Sequence, residues 1–292
     1  MRRLTPASAL LILLAACGGS GAGILPASGQ DGRSTGLQAI VDGARKEGQL
    51  QLIWGEGAVG GAEGARQLAD GLNKRFGLNL NVQYTPGPAM PDVAAKTLQE
   101  FQTKRPATTD VLIGSEAHFP PLMKADALEK VDWASWAPDV KDPRLLGTPD
   151  GTTVKIASRT PGITYNASRL TGDAVPKSMQ DLLVPRFKGK LASTTYGAMF
   201  DRLATDDLWG QQRALDYVAK LSAQAGGLIR CGEAERIANG EFDVFALDCG
   251  ASDALRAKQK GAPLAQVIPT DAAALVYWYM GVPKNAAHPN AA

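Results

Sequence analysis

Apolar positions along the chain keep two periods, and the alternation between those periods lays out the elements. Leu37, Ile40, Val41 and Ala44 recur at helical spacing until Gly48, which predicts a helix over 37–47. Residues 50–54 read as a short buried strand, and a glycine-rich turn over 55–61 leads into a helix over 63–76. Residues 80–84 alternate as a second strand, and Pro86 and Pro88 break the chain before an amphipathic helix over about 90–104. A third strand over 111–114 and a helix over 117–125 follow, and between Asp126 and Gly151 the pattern dissolves into Trp, Pro, Asp and Gly, as an irregular crossing does.

Beyond that crossing the alternation restarts. Strands are predicted over 154–158 and 162–166, a helix over 178–183, a strand over 189–193, helices over 198–209 and 213–224, a strand over 243–248 and a helix over 252–260. Two further strands over 267–269 and 274–282 bring the chain to Pro283. Strands that alternate with helices predict an α/β fold whose parallel sheets are covered on both faces, in two successive units.

One apolar run fits neither unit. Residues 7–16 are almost wholly apolar, follow Arg2 and Arg3, and stop at Cys17, which is the pattern of an export signal. The run is roughly ten residues, short of the ~20 that span a bilayer as a helix. Residues 18–36 are rich in Gly, Ser and Ala and read as a flexible linker. Leu14, Ala15, Ala16 and Cys17 resemble the lipobox of bacterial lipoproteins. That resemblance implies cleavage before Cys17, acylation of its thiol, and a folded cargo tethered in the periplasm or at the cell surface.

Composition then narrows the classes. The 292 residues are 45% hydrophobic and 21% charged, enough for two ordinary domains with a buried core. The formal charge of +2 is supplied by Arg2 and Arg3, so the chain after the signal is neutral and offers no electrostatic case for nucleic acid. With Cys17 in the tether, Cys231 and Cys249 form an even pair in an oxidising compartment. A disulfide between them closes a loop of about eighteen residues, worth roughly 3 kcal/mol on chain entropy; two buried free thiols are the alternative. With no CxxC or nearby histidine to complete a ligand set, no metal site is expected.

Several phrases, in this order, resemble the extracellular solute-binding proteins of bacterial ABC importers, in the type 2 periplasmic binding fold. They are ARKEGQL over 44–50, DVLIGS over 110–115, GITYN over 162–166, VPKS over 175–178, FKGK over 187–190 and GVPKNAAHPNAA over 281–292. The resemblance runs over about 37–292. It implies two α/β lobes, 37–158 with 274–292 and 159–273, that close on a small solute about a hinge and present it to an inner-membrane permease. It also implies a monomer without a cofactor. In the family the phrase around His288, Pro289 and Asn290 introduces further helices, so the last helices of the first lobe are expected to be missing here.

Candidate ligand residues sit where strands give way to helices. Gly55, Gly57 and Gly60 match G-x-G-x-x-G, and the turn, with Trp54 and Glu56, offers backbone N–H groups to an anion. The same letters open a dinucleotide reading, an NAD-binding oxidoreductase, but the second strand ends in Gln83, Tyr84 and Thr85 with no carboxylate for a ribose. Ser193, Thr194, Thr195, Tyr196 and Gly197 form the matching turn of the second lobe, and Ser115 a weaker one. Simple turns and N-caps explain these residues equally well. Trp54, Tyr196, Tyr277 and Trp278 are candidate walls for a cationic or heterocyclic ligand, with Glu56, Glu116 or Asp248 as counter-charges.

These features favour an anionic or zwitterionic organic ligand such as a phosphonate, with thiamine or a polyamine as the rival. Ferric ion is disfavoured. Ferric members of the family carry adjacent tyrosines after the strand that ends here at Asp248, where this chain has Cys249, Gly250 and Ala251, and only His118 and His288 offer imidazoles. No H-E-x-x-H is present and G-x-S-x-G is absent from the folded region, so no enzyme is expected.

Overall fold

Helix α1 (Thr35–Glu47) opens the part of the chain that the computed structural model describes, residues 35–292 apart from 56, 138, 139, 141, 149, 196, 198 and 250. The export signal, Cys17 and the linker therefore lie outside the described residues, as do Glu56 and Tyr196. Strand β1 (Gln49–Gly55) buries Leu50, Leu52 and Trp54 on one face, the period-two pattern of a half-covered strand. Helix α2 (Gly61–Phe76) carries the chain over to β2 (Asn81–Gly87), which pairs parallel to β1. Gly77, in the left-handed conformation at φ 62°, ends α2.

Helix α3 (Met90–Gln102) leads to β3 (Leu112–Ser115), α4 (Pro120–Lys124), α5 (Trp133–Trp136) and β4 (Val154–Arg159). The segment before β3 is stitched to β1. Gln51 donates its N–H to Asp110 Oδ2 at 2.7 Å, Asp110 donates its own to Gln51 O at 2.8 Å, and Ile53 donates to Thr109 Oγ1 at 3.1 Å. The last strand, β10 (Val276–Gly281), inserts between β3 and β4 and is antiparallel to both.

The second half is built on five strands in the order β7-β6-β8-β5-β9. They are β5 (Gly162–Asn166), β6 (Leu191–Thr194), β7 (Ala225–Ile229), β8 (Val244–Asp248) and β9 (Leu264–Val267). Helices α6 (Phe200–Leu203), α7 (Gln211–Gln224), α8 (Glu235–Ala238) and α9 (Ala251–Gln259) connect them. β6 is parallel to β7 and β8, whereas β5 is antiparallel to β8 and β9. The sheets are therefore mixed rather than wholly parallel. β1 and β2 are parallel, β10 is antiparallel to both of its neighbours, and the five-stranded sheet combines both senses.

Each half has its own apolar interior. Leu52, Trp54, Ile113 and Leu112 pack in the first, and Ile163, Leu182, Phe187, Leu191 and Phe245 in the second. Two local expectations fail, and one strand has no counterpart among them. The helix expected over 198–209 is the single turn α6, because Thr205 donates its hydroxyl to Arg202 O at 2.7 Å and Arg202 grips Asp207 through two contacts at 2.8 and 2.6 Å, closing a turn instead. The segment over 178–183 forms only a short 3₁₀ turn, Gln180–Leu183. Strand β7 was invisible because two of its five residues are glycines. A Cβ at Gly226 would meet Gly189 O at 2.2 Å, and one at Gly227 the Phe242 ring at 2.6 Å.

Residues near the carboxyl end are pinned to the first half. His288 donates its N–H to Asp110 Oδ1 at 3.0 Å, and Glu47 accepts from the N–H groups of Asn290 and Ala291 and from Asn290 Nδ2. Glu47, in the ARKEGQL phrase, is thus a clamp for residues more than two hundred positions away.

Candidate functional site

Strand ends from both halves open on one cleft of about 910 Å³. β1 contributes Gly55 and the turn after it Gly57 and Ala58; β2 contributes Gly87, and the start of α3 Pro88 to Pro91. β3 contributes Ser115, and His118 follows. From the second half come Gly197 and Met199 after β6, Arg230 to Glu233 after β7, and Cys249 with one face of α9 after β8. Arg159 and Val276, paired in register where β4 and β10 meet the second half, also line it. Clefts at the carboxyl ends of α/β strands are the usual place for small-molecule sites.

The turn after β1 has the conformation its glycines allow. Gly57, Gly60 and Gly61 have φ of 80°, 88° and 65°, and a Cβ at Gly64 would meet Val59 O at 1.8 Å, so α2 starts pressed against the turn. β2 ends in Thr85, Pro86 and Gly87, with no carboxylate at the position a ribose needs.

Gly57, Ser115 and Gly197 share this cleft, but other candidates stand elsewhere. Trp54 is 2% exposed, donates Nε1–H to Val111 O at 2.8 Å and meets Tyr84 edge to face; it is a core residue rather than a cleft wall. Ser193 and Thr194 are buried in β6 between β7 and β8, and Thr195 is exposed off the cleft lining. Helix α6 is too short to offer the helix start expected after them. Tyr277 lies under Lys155, whose Nζ is 3.8 Å from the ring centroid, outside the cleft. Its neighbour Trp278 takes the cleft instead, because successive strand residues face opposite ways: Trp278 and Met280 pack with the Trp54 cluster, Tyr277 and Tyr279 with Leu112 and Phe119. Glu116 accepts the Tyr279 hydroxyl at 3.1 Å. Asp248 sits one residue behind the wall, its Oδ2 accepting from Thr164 Oγ1 at 2.7 Å. Burial pushes its carboxyl up to about 6.

Cys231 and Cys249 are joined, with Cα atoms 5.6 Å apart, a separation that a bridge spans without backbone movement. The bridge ties the segment after β7 to the end of β8, and both cysteines line the cleft. His118 folds back over β3, where Gly114 makes room: a Cβ there would lie 2.8 Å from Nδ1. Nδ1 accepts the Ser115 N–H at 3.0 Å, which places the ring proton on Nε2 as a donor. Burial lowers the His118 pKa, partly offset by Asp201 from α6.

Basic groups are the residues sequence reasoning missed. Arg159, Arg230, Arg256 and Lys260 line the cleft with Asp201, Glu233, Glu235 and Asp253. Arg256 pairs with Asp253, and Glu233 accepts the Arg230 N–H at 2.9 Å. Arg159, Arg230 and Lys260 form no ion pair with another described residue, and the Arg159 guanidinium lies 5.0 Å over the Trp278 ring. The i, i+4 spacing of Arg256 and Lys260 was the available signal. Among the described residues, no group of three His, Cys, Asp or Glu could hold a metal ion, and no helix is long and apolar enough to cross a membrane.

Residues 67–292 match the family model of the bacterial extracellular solute-binding proteins, and the chain belongs to that family. No curated protein sequence gives a significant match. Three solved structures show how widely the fold is used. Iron-bound HitA from Pseudomonas aeruginosa has 22% identity and a TM-score of 0.64 over 83% of this chain and 78% of that one. AfuA from Actinobacillus pleuropneumoniae, with fructose-6-phosphate bound, has 19% identity and a TM-score of 0.66 over 83% and 76%. The spermidine/putrescine ABC transporter substrate-binding protein PotD from Streptococcus pneumoniae has 18% identity and a TM-score of 0.57 over 83% and 74%. The α/β fold is that of two-lobed periplasmic binding proteins.

Proposed function

We propose that the chain is the solute receptor of an ABC importer, selective for a small anionic or zwitterionic organic molecule. The observation that carries this reading is the trio Arg159, Arg230 and Lys260, which line the cleft without an ion pair to any described residue. Cations that line a cleft without an ion pair are suited to a ligand's acidic group. The Gly57 turn and the His118 Nε2–H add donors of the same polarity. In this reading the lobes 37–158 with 274–292 and 159–273 close about the Arg159–Gly162 crossing, and the closed form docks on the permease as a monomer. Acylated Cys17 tethers it in the periplasm or at the cell surface, and no chemistry is done on the ligand.

Thermal denaturation against a panel of phosphonates, inorganic phosphate, thiamine, spermidine, ferric citrate and NAD tests the reading. A ligand at a hundred times its Kd stabilises by about 2.7 kcal/mol, roughly 2–4 °C or more in a chain of this size. Selective stabilisation by an organic anion supports it; stabilisation by spermidine, thiamine, ferric ion or NAD alone contradicts it.

A further inference from the structure

The two walls of the cleft differ in kind. Among the described residues, the wall from the first half is uncharged apart from Arg159 at the end of β4: Gly57, Ala58, Pro88, Met90 and Trp278 line the space, with His118 and Ser115 as polar residues. The formally charged groups come from the second half and from Arg159 at the crossing. A bare inorganic anion, or a sugar polar over its whole surface, makes poor use of such an apolar wall, because its hydration is lost there without replacement. The two surfaces adjoin where the Arg159 guanidinium lies 5.0 Å from the Trp278 ring centroid.

We infer that the ligand is an amphipathic organic acid: one acidic group held at Arg159, joined through a short link to an apolar, ring-sized body that lies on Trp278, Met90 and Pro88. The inference rests on the anion-capture reading and adds the body and its orientation. An acidic group within hydrogen-bond reach of Arg159 places its first carbon atoms beside the indole, because the guanidinium lies 5.0 Å from the ring centroid. The cleft, about 910 Å³, holds a ligand of this size with room for the water that closure expels. His118 Nε2–H and the Ser115 hydroxyl, on the apolar wall, suit one polar substituent on the body.

Calorimetric titration of the folded protein with phenylphosphonate, methylphosphonate, inorganic phosphate and phenethylamine tests this. The expected result is phenylphosphonate at least about tenfold tighter than methylphosphonate, the worth of burying a ring-sized apolar surface. Trp278→Ala is expected to shrink that ratio to about twofold and Trp278→Phe to keep most of it, whereas Arg159→Ala weakens both phosphonates alike. Equal affinity of the two phosphonates in the native protein overturns the inference and leaves anion capture standing. Binding of phenethylamine with none of the phosphonates overturns anion capture itself, as does a lack of binding by all the anions.

Discussion

Asp110 Oδ2 lies 2.8 Å from Nδ1 of His288, and the same buried carboxylate accepts the backbone N–H groups of Gln51 and His288. One side chain with no exposed surface thus ties β1, the entry to β3 and the residues near 288 together. His288→Ala removes one partner of a buried acceptor, at an expected cost of about 1–3 kcal/mol. Asp110→Ala strands two backbone donors and is expected to cost more. Urea melts of the two variants check this, and a His288→Ala midpoint equal to the parent's would show that the ring contributes nothing.

Asp248 gives the fold a pH dependence of unusual sign. Its carboxyl is pushed up to about 6 when folded, with burial as the main cause and the Thr164 hydroxyl opposing it. The folded state therefore binds the proton more tightly than the unfolded chain, so this group's contribution falls as pH rises from about 4 to about 6 and is flat above. Asp248→Asn, which keeps an acceptor for Thr164, is expected to raise the melting temperature more at pH 7.5 than at pH 4.5. An equal change at both values would show that Asp248 is not the group responsible.

The Cys231–Cys249 bridge closes a loop of 18 residues and lines the cleft. Paired Cys→Ser replacement is expected to destabilise by roughly 3 kcal/mol on the chain-entropy model. It is also expected to weaken ligand binding, because the two cleft segments lose their cross-link. Mass analysis without reductant reads the bridge directly: two freely alkylated thiols in the native protein would remove the basis for both effects.

Much of the fold was legible because period and punctuation agree. Gly48 stops α1, Pro88 and Pro91 frame the start of α3, and the all-apolar β8 reads as a strand buried on both faces. Glycine-rich β7 carries too little side-chain pattern to be seen, and the antiparallel sense of β5 and β10 is set by which strands the fold brings beside them, which no local pattern records. The cleft was legible in its backbone turns and not in its side chains. The turns holding Gly57, Ser115 and Gly197 were found because strand-to-helix junctions point to a cleft. Trp54 lies in the core, and an aromatic next to a glycine turn looks alike in sequence whether its ring faces the core or the cleft. Trp278 and Tyr277 differ by one step along β10, and one step exchanges the faces of a strand. Arg159 and Arg230 carry no local signal, because their meaning depends on what the fold brings opposite them.

The most direct test of solute capture is calorimetric titration of the native protein and of an Arg159→Ala, Arg230→Ala variant with phenylphosphonate. Loss of hydrogen bonds to a charged ligand group costs about 1.5–3 kcal/mol each. Saturable one-to-one binding is expected for the native protein and at least a tenfold loss for the variant, with the fold intact by circular dichroism. Equal affinity in the two proteins would place the anion outside this cleft and contradict the account.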